Sequence, residues 1–145
     1  AQFDNRDQMP KLSRFLFGEW LKTNYLQPLN EDDSSVSFAA GYTDYKGASH
    51  KRRVMLADNL LTVNDELSGF KQSAVIRWRL VPGDWLLQGN SVTDGKIRLH
   101  IRSSSAFSLQ ICEGQESRYY LQTTPLPVLE LHTTEPGTFT TELFF

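Results

Sequence analysis

The chain has 145 residues, of which 39% are hydrophobic and 22% charged, and a formal net charge of −2. That length suits a single domain, residues 1–145, with a core of its own. No apolar stretch is long enough to cross a bilayer, and the absence of a basic excess argues against a generic nucleic-acid binder. The single cysteine, Cys112, excludes an internal disulfide and any multi-cysteine metal site.

The first 35 residues are the least regular part of the sequence. Leu12, Phe15, Leu16 and Trp20 are spaced to line a short helix, which Gly18 weakens and Pro10 crowds at its start. Residues 27–35 are polar, contain Pro28 and read as a loop. From Val36 onward the pattern changes to short strands joined by turn chemistry. Val36 to Tyr42 is the first strand. In HKRRVMLADNLLTVNDELSGF, His50 to Phe70, the runs Arg53 to Ala57 and Leu60 to Val63 flank Asp58-Asn59. These two residue types tolerate the left-handed backbone of a tight turn, so the stretch predicts a β-hairpin.

Ala74, Ile76, Trp78 and Leu80 then alternate with Val75, Arg77 and Arg79, up to Pro82-Gly83. Trp85 to Leu87 ends at Gly89-Asn90, and Ser91 to Thr93 leads into Asp94-Gly95, a hairpin turn. Lys96 to Arg102 alternates most cleanly, with Ile97, Leu99 and Ile101 facing a core and Lys96, Arg98, His100 and Arg102 facing water. Ser105 to Cys112, Arg118 to Thr123, Val128 to His132 and Thr138 to Phe145 complete the set. Roughly ten strands at this spacing predict an all-β fold, an antiparallel β-sandwich or a barrel, with the sandwich preferred.

The chemistry-bearing residues form no familiar motif. His50, His100 and His132 are dispersed, with no second ligand at metal-site spacing, and neither a metal nor a cofactor is expected. Asp4 with Asp7, Asp32 with Asp33, and Asp65 with Glu66 sit in polar segments or at strand ends, where solvated turns account for them. Cys112 lacks a neighbouring base and reads as a structural thiol. Tyr119 and Tyr120, if borne on a strand, face opposite ways, which leaves one of them free as a stacking platform for a sugar ring. The candidate substrate-binding residues are Lys96, Arg98, His100 and Arg102, joined by Arg77 and Arg79 if these lie nearby. Such a patch would attract an acidic polymer despite the negative total charge, whereas an ordinary solvated strand face needs no ligand.

Two segments carry a family resemblance. AQFDNRDQMPKLSRFLFGEW, Ala1 to Trp20, and HKRRVMLADNLLTVNDEL, His50 to Leu67, resemble the C-terminal β region of heparinase II/III-like polysaccharide lyases. In that family an α/α toroid precedes a β-sandwich, and acidic polysaccharides such as glycosaminoglycans are cleaved by β-elimination. The base, the groups that stabilise the enolate-like intermediate and the metal ligands precede the matched text, a His-Asn pair just upstream of Ala1 included. The resemblance therefore implies no catalytic or metal-binding residue within this chain. It implies instead the C-terminal fragment of a longer, bacterial lyase of the periplasm or cell envelope, with the N-terminal catalytic region of the same chain as partner and an acidic polysaccharide as weak ligand. A stand-alone carbohydrate-binding module is the alternative; an independent enzyme would need a site assembled from scattered histidines and carboxylates.

Overall fold

The computed structural model describes residues 1–145, which form twelve strands and no helix. The strands are β1 (Gln2–Phe3), β2 (Lys22–Glu31), β3 (Ser35–Thr43), β4 (Ser49–Ala57), β5 (Leu60–Ser68), β6 (Ala74–Arg79), β7 (Leu86–Gln88), β8 (Ser91–Thr93), β9 (Arg98–Ser103), β10 (Ser108–Glu116), β11 (Thr124–Thr133) and β12 (Gly137–Phe144). They make a four-stranded sheet, β1-β6-β11-β10, and an eight-stranded sheet, β2-β3-β4-β5-β12-β9-β8-β7, with every pairing antiparallel. The all-β sandwich expected from the alternation is the fold observed.

Turn chemistry sets the hairpins. Asp58 adopts φ 50° at the β4–β5 turn, and Ala57 pairs with Leu60 across it. The apolar faces of both sheets then meet: Phe3, Ala74, Ile76, Leu129 and Leu131 of the smaller sheet form one cluster with Leu67, Val92, Leu99, Ile101 and Phe139 of the larger. Leu99 and Ile101 are almost wholly buried, Arg98 and Arg102 that flank them are exposed and His100 between them is half-buried, as their alternation requires. Neither β2 nor β3 contributes a buried residue to this cluster, and Leu26, Leu29 and Phe38 on them stay exposed.

Four elements differ from the sequence reading. Residues 12–20 form no helix: Leu12 N and Ser13 N donate to Leu16 O, and Gly18 N donates to Pro10 O, closing a small loop with a bridge between Lys11 and Phe17. No surface covers Leu12, Phe15, Leu16 and Trp20, so nothing offsets the cost of starting a short helix. The polar stretch around Pro28 is strand β2, not a loop; Pro28 and Leu29 together oppose Phe38 in a bulge between the Gln27–Ala39 and Asn30–Ser37 pairs. A bulge on an edge strand is where a sheet tolerates a missing N–H. Lys96 lies in the β8–β9 turn, whose Asp94 carboxylate accepts from Lys96 N and Ile97 N, so β9 begins only at Arg98. Residues 118–123 are the β10–β11 connection rather than a strand, with Leu121 at φ 61°, and both Tyr119 and Tyr120 stand in solvent.

Candidate functional site

The expected cationic patch does not assemble. Arg77 and Arg79 belong to β6 of the small sheet, whereas Arg98, His100 and Arg102 belong to β9 of the large one. Because both groups alternate with core residues, they leave the sandwich on its two opposite outer faces. The side chains of the β9 row are also locally engaged: Arg102 pairs with Glu142, Arg98 lies 4.9 Å over the Phe144 ring, and His100 Nδ1 is 2.9 Å from Ser91 Oγ. Across the molecule, Arg77 Nε donates to Glu130 at 2.6 Å and Arg79 donates to the Gln115 carbonyl. Partial burial pushes the Glu130 carboxyl up, but hydrogen bonds from Gln110, His132 and Arg77 outweigh it and hold the group at about 2.

A denser polar group lies at the seam between the sheets. Tyr42, His50, Arg52 and Asp65 come from three neighbouring strands, β3, β4 and β5, and register explains their meeting. Counting back from the Ala57–Leu60 pair places Arg52 opposite Asp65 and His50 opposite Leu67, all on the inward face. Asp65 is fully buried; its Oδ1 accepts from Arg52 Nε at 2.6 Å and lies 2.6 Å from His50 Nε2, while Oδ2 accepts from Arg52 at 2.9 Å. Burial acts to raise the Asp65 carboxyl, yet His50 and Arg52 reverse it and hold it below the usual carboxylate range. Burial is also the main reason the His50 imidazole is lowered, against the opposing pull of Asp65. A neutral His50 that donates from Nε2 leaves Nδ1 as acceptor, and the Ala1 nitrogen stands 3.2 Å from it. The Arg52 guanidinium packs 4.9 Å over the Trp78 ring, which joins the group to β6.

Around this seam the N-terminal arm is tied down by carboxylates. Asp4, at φ 50°, accepts from the backbone amides of Lys71, Gln72 and Ser73 and pairs with Arg6. Its partial burial is outweighed by the Gln72 amide first and Arg6 next, which hold the carboxyl at about 2. Arg6 also binds the buried Asp44 at 2.6 Å, and the Ala1 carbonyl accepts from Tyr42 Oη and Gln8 Nε2. The arm and β6 bound an open cleft of about 610 Å³. Arg6, Lys11, Arg52 and Arg77 line it against a single carboxylate, Asp7.

Sequence reasoning took Asp65 for a solvated strand end and His50 for one of three dispersed histidines without a partner. The signal was available in the register: once Asp58-Asn59 is the turn, an inward Arg faces an inward Asp in an otherwise apolar stripe. No group of three or more His, Cys, Asp or Glu side chains converges as a metal-ligand set. Cys112 is half-buried near the Val128 carbonyl, where burial raises its thiol.

Compared by sequence, the chain matches no protein-family model and no curated protein. Compared by structure, it is similar to heparan sulfate lyase HepC from Pedobacter heparinus, with a TM-score of 0.69 and 16% identity over 83% of this chain. A heparinase III gene product superposes with a TM-score of 0.70 and 16% identity over 86% of this chain. The fold is thus one found within heparinase III-type lyases. The chain spans only 21% of each of those proteins.

Proposed function

We propose that this chain is the β-sandwich part of a heparinase-type polysaccharide lyase, in which it supports the catalytic region and helps to hold an acidic polysaccharide. The structural likeness over more than four-fifths of the chain carries this reading. Two surface features support it. Leu12, Phe15, Leu16 and Trp20 form a contiguous exposed apolar arm, the kind of surface that marks a protein contact. Beside the arm lies the cleft lined by Arg6, Lys11, Arg52 and Arg77, in which the three arginines are ion-paired and Lys11 is the cation without a carboxylate partner, available to an anionic polymer. Polysaccharide held there would sit at the junction with the catalytic region, with Lys11 and Arg77 at its rim.

The carboxylates and imidazole of the seam are all engaged in structural hydrogen bonds, so this part supplies position and charge and leaves proton abstraction to the rest of the lyase. Incubation of the chain alone with heparan sulfate and other uronate polymers should yield no ultraviolet absorbance from unsaturated product; sustained turnover would overturn the supporting role. Heparin titration should show weak binding that falls as salt is raised from about 0.1 to about 0.15 M and beyond, as exposed charges are screened over about 10 Å at the first and about 8 Å at the second. Lys11→Ser with Arg77→Gln should weaken it further. Loss of binding in Arg98→Ser with Arg102→Ser instead would move the polysaccharide to the outer face of the large sheet.

A further inference from the structure

One part of the outer face of the large sheet is built around an aromatic ring. Across five strands the register sets Tyr25 beside Gly41, Gly41 beside Lys51, Lys51 beside Glu66 and Glu66 beside Thr138. The neighbouring row runs through Gln27, Ala39, Arg53, Asn64 and Thr140. At strand spacings of about 4.8 Å each row spans roughly 19 Å.

Tyr25 belongs to this face because of a bulge. Thr23 pairs with Tyr42, which faces inward, so regular alternation would set Asn24 opposite Gly41 and turn Tyr25 inward beside Ala40. The extra residue at Asn24 instead puts Tyr25 opposite Gly41, on the outside. Re-aiming a side chain next to a functional site is a recurrent use of bulges. Gly41 makes room for the result, since a Cβ there would stand 2.9 Å from the His50 carbonyl oxygen and 3.0 Å from Lys51 Cγ. Lys51 Nζ lies 5.8 Å from the centre of the half-buried Tyr25 ring and 3.1 Å from Glu66 Oε1.

Tyr25, Lys51, Arg53, Asn64, Glu66 and Thr138 line a shallow pocket of about 180 Å³, the space of about six waters at roughly 30 Å³ each. Its polar groups are only partly used. Glu66 Oε1 accepts from Lys51 and Asn64 Oδ1 accepts from the Thr140 hydroxyl, which leaves Glu66 Oε2 to accept and Asn64 Nδ2 to donate. Arg53 donates to Gln27 and has no carboxylate partner. These groups select a ligand class. Strands β3, β4, β5 and β12 are each paired on both sides, so no edge beneath the pocket can take up an extended peptide. Tyr25 is the one hydrophobic residue of the six, so an apolar anchor has no seat. Glu66 neutralises Lys51 and turns its second oxygen toward any incoming anion. A ring face beside a carboxylate, an amide and hydroxyls suits a molecule with C–H groups on its faces and hydroxyls around its rim.

We propose that this pocket binds a neutral saccharide, with one sugar ring stacked on Tyr25 and its hydroxyls bonded to the Glu66 carboxylate and the Asn64 amide. The site lies on the opposite side of the large sheet from the cleft at Lys11, and it does not rest on the lyase reading. Magnetic resonance titration of the chain with neutral hexasaccharides of glucose, mannose, galactose and xylose tests it. At least one of them should shift the Asn64 side-chain amide and the backbone amides of Lys51 and Glu66. Its affinity should stay within about twofold as salt is raised from about 0.1 to about 1 M, because hydroxyl contacts are not screened. Tyr25→Ala should weaken binding by about tenfold or more, and Glu66→Gln, which keeps the side chain's size, by a similar factor. Glu66→Gln decides the matter should Tyr25→Ala unfold the edge strand. Lys11→Ser with Arg77→Gln should leave sugar binding unchanged, so the cleft and this pocket stand or fall separately. No shift with any of the four sugars, or full affinity in the folded variants, overturns the proposal. Shifts at these residues with heparin alone, lost at high salt, would make the pocket an anion site and overturn it as well.

Discussion

Arginine–carboxylate pairs occur both at the seam of this sandwich and on the outer face of its large sheet, and the two kinds are chemically alike. Arg52 with Asp65 and Arg102 with Glu142 are both cross-strand guanidinium–carboxylate pairs on antiparallel neighbours. They differ in what surrounds them. The Asp65 side chain is 1% exposed and shared with His50, whereas the Arg102 side chain is 62% exposed. A buried carboxylate cannot turn to water when its partner goes, and an exposed guanidinium can. The same pair is therefore a structural joint in one place and a dispensable surface contact in the other.

The sharpest way to calibrate that contrast is against the apolar core itself. Leu99→Ala, on the inward face of the β9 row, should lower unfolding free energy by about 3–4 kcal/mol in urea melts, within the range for buried leucines. A harmless change would overturn the facing of the whole strand. Asp65→Ala should come next, at about 2–3 kcal/mol, below the usual cost of breaking a fully buried pair because a third of the Arg52 side chain remains exposed. A loss near zero would make the seam no different from the surface.

Acid should separate the seam histidine from the carboxylates of the arm and the small sheet without mutation. His50 has a lowered folded pKa, so its contribution is complete above the ordinary histidine value of about 6.5 and is lost as pH falls through that value. Glu130 and Asp4, held at about 2, contribute above their unfolded values near 4.5 and 3.8 and lose that contribution as pH falls toward 2. Thermal melts between pH 7 and pH 3 should thus show two declines, and His50→Gln should remove the first alone. The smallest effect is expected from Arg98→Ser with Arg102→Ser, within about 1 kcal/mol, since exposed pairs contribute roughly 0.2–1 kcal/mol. A loss comparable to that of Asp65→Ala would erase the distinction.

Much of the scaffold was legible in the residues. Asp58-Asn59 marked the β4–β5 turn, and the alternation around Leu99 and Ile101 marked an inward face, because both are local consequences of backbone conformation and side-chain period. The arm around Phe15 misled because its apolar spacing suits a helix while its partner surface is missing. Residues 118–123 misled in the opposite way, since Tyr119 and Tyr120 favour strands by type but sit where the chain reverses. Lys96 was lost from its row because Asp94 draws two following amides into a longer turn.

By itself the sequence determined an all-β chain of short antiparallel strands, the main hairpin turns and the inward side of most strands, since each depends on neighbours a few residues away. Tertiary structure alone decided which sheet each strand joins. That choice put Arg77 and Arg98 on opposite outer faces and brought His50, Arg52 and Asp65 to one seam with Trp78. The physical reason is that pairing between distant strands is fixed by how two apolar faces pack together, and no residue's local preference encodes the identity of a neighbour that lies far along the chain.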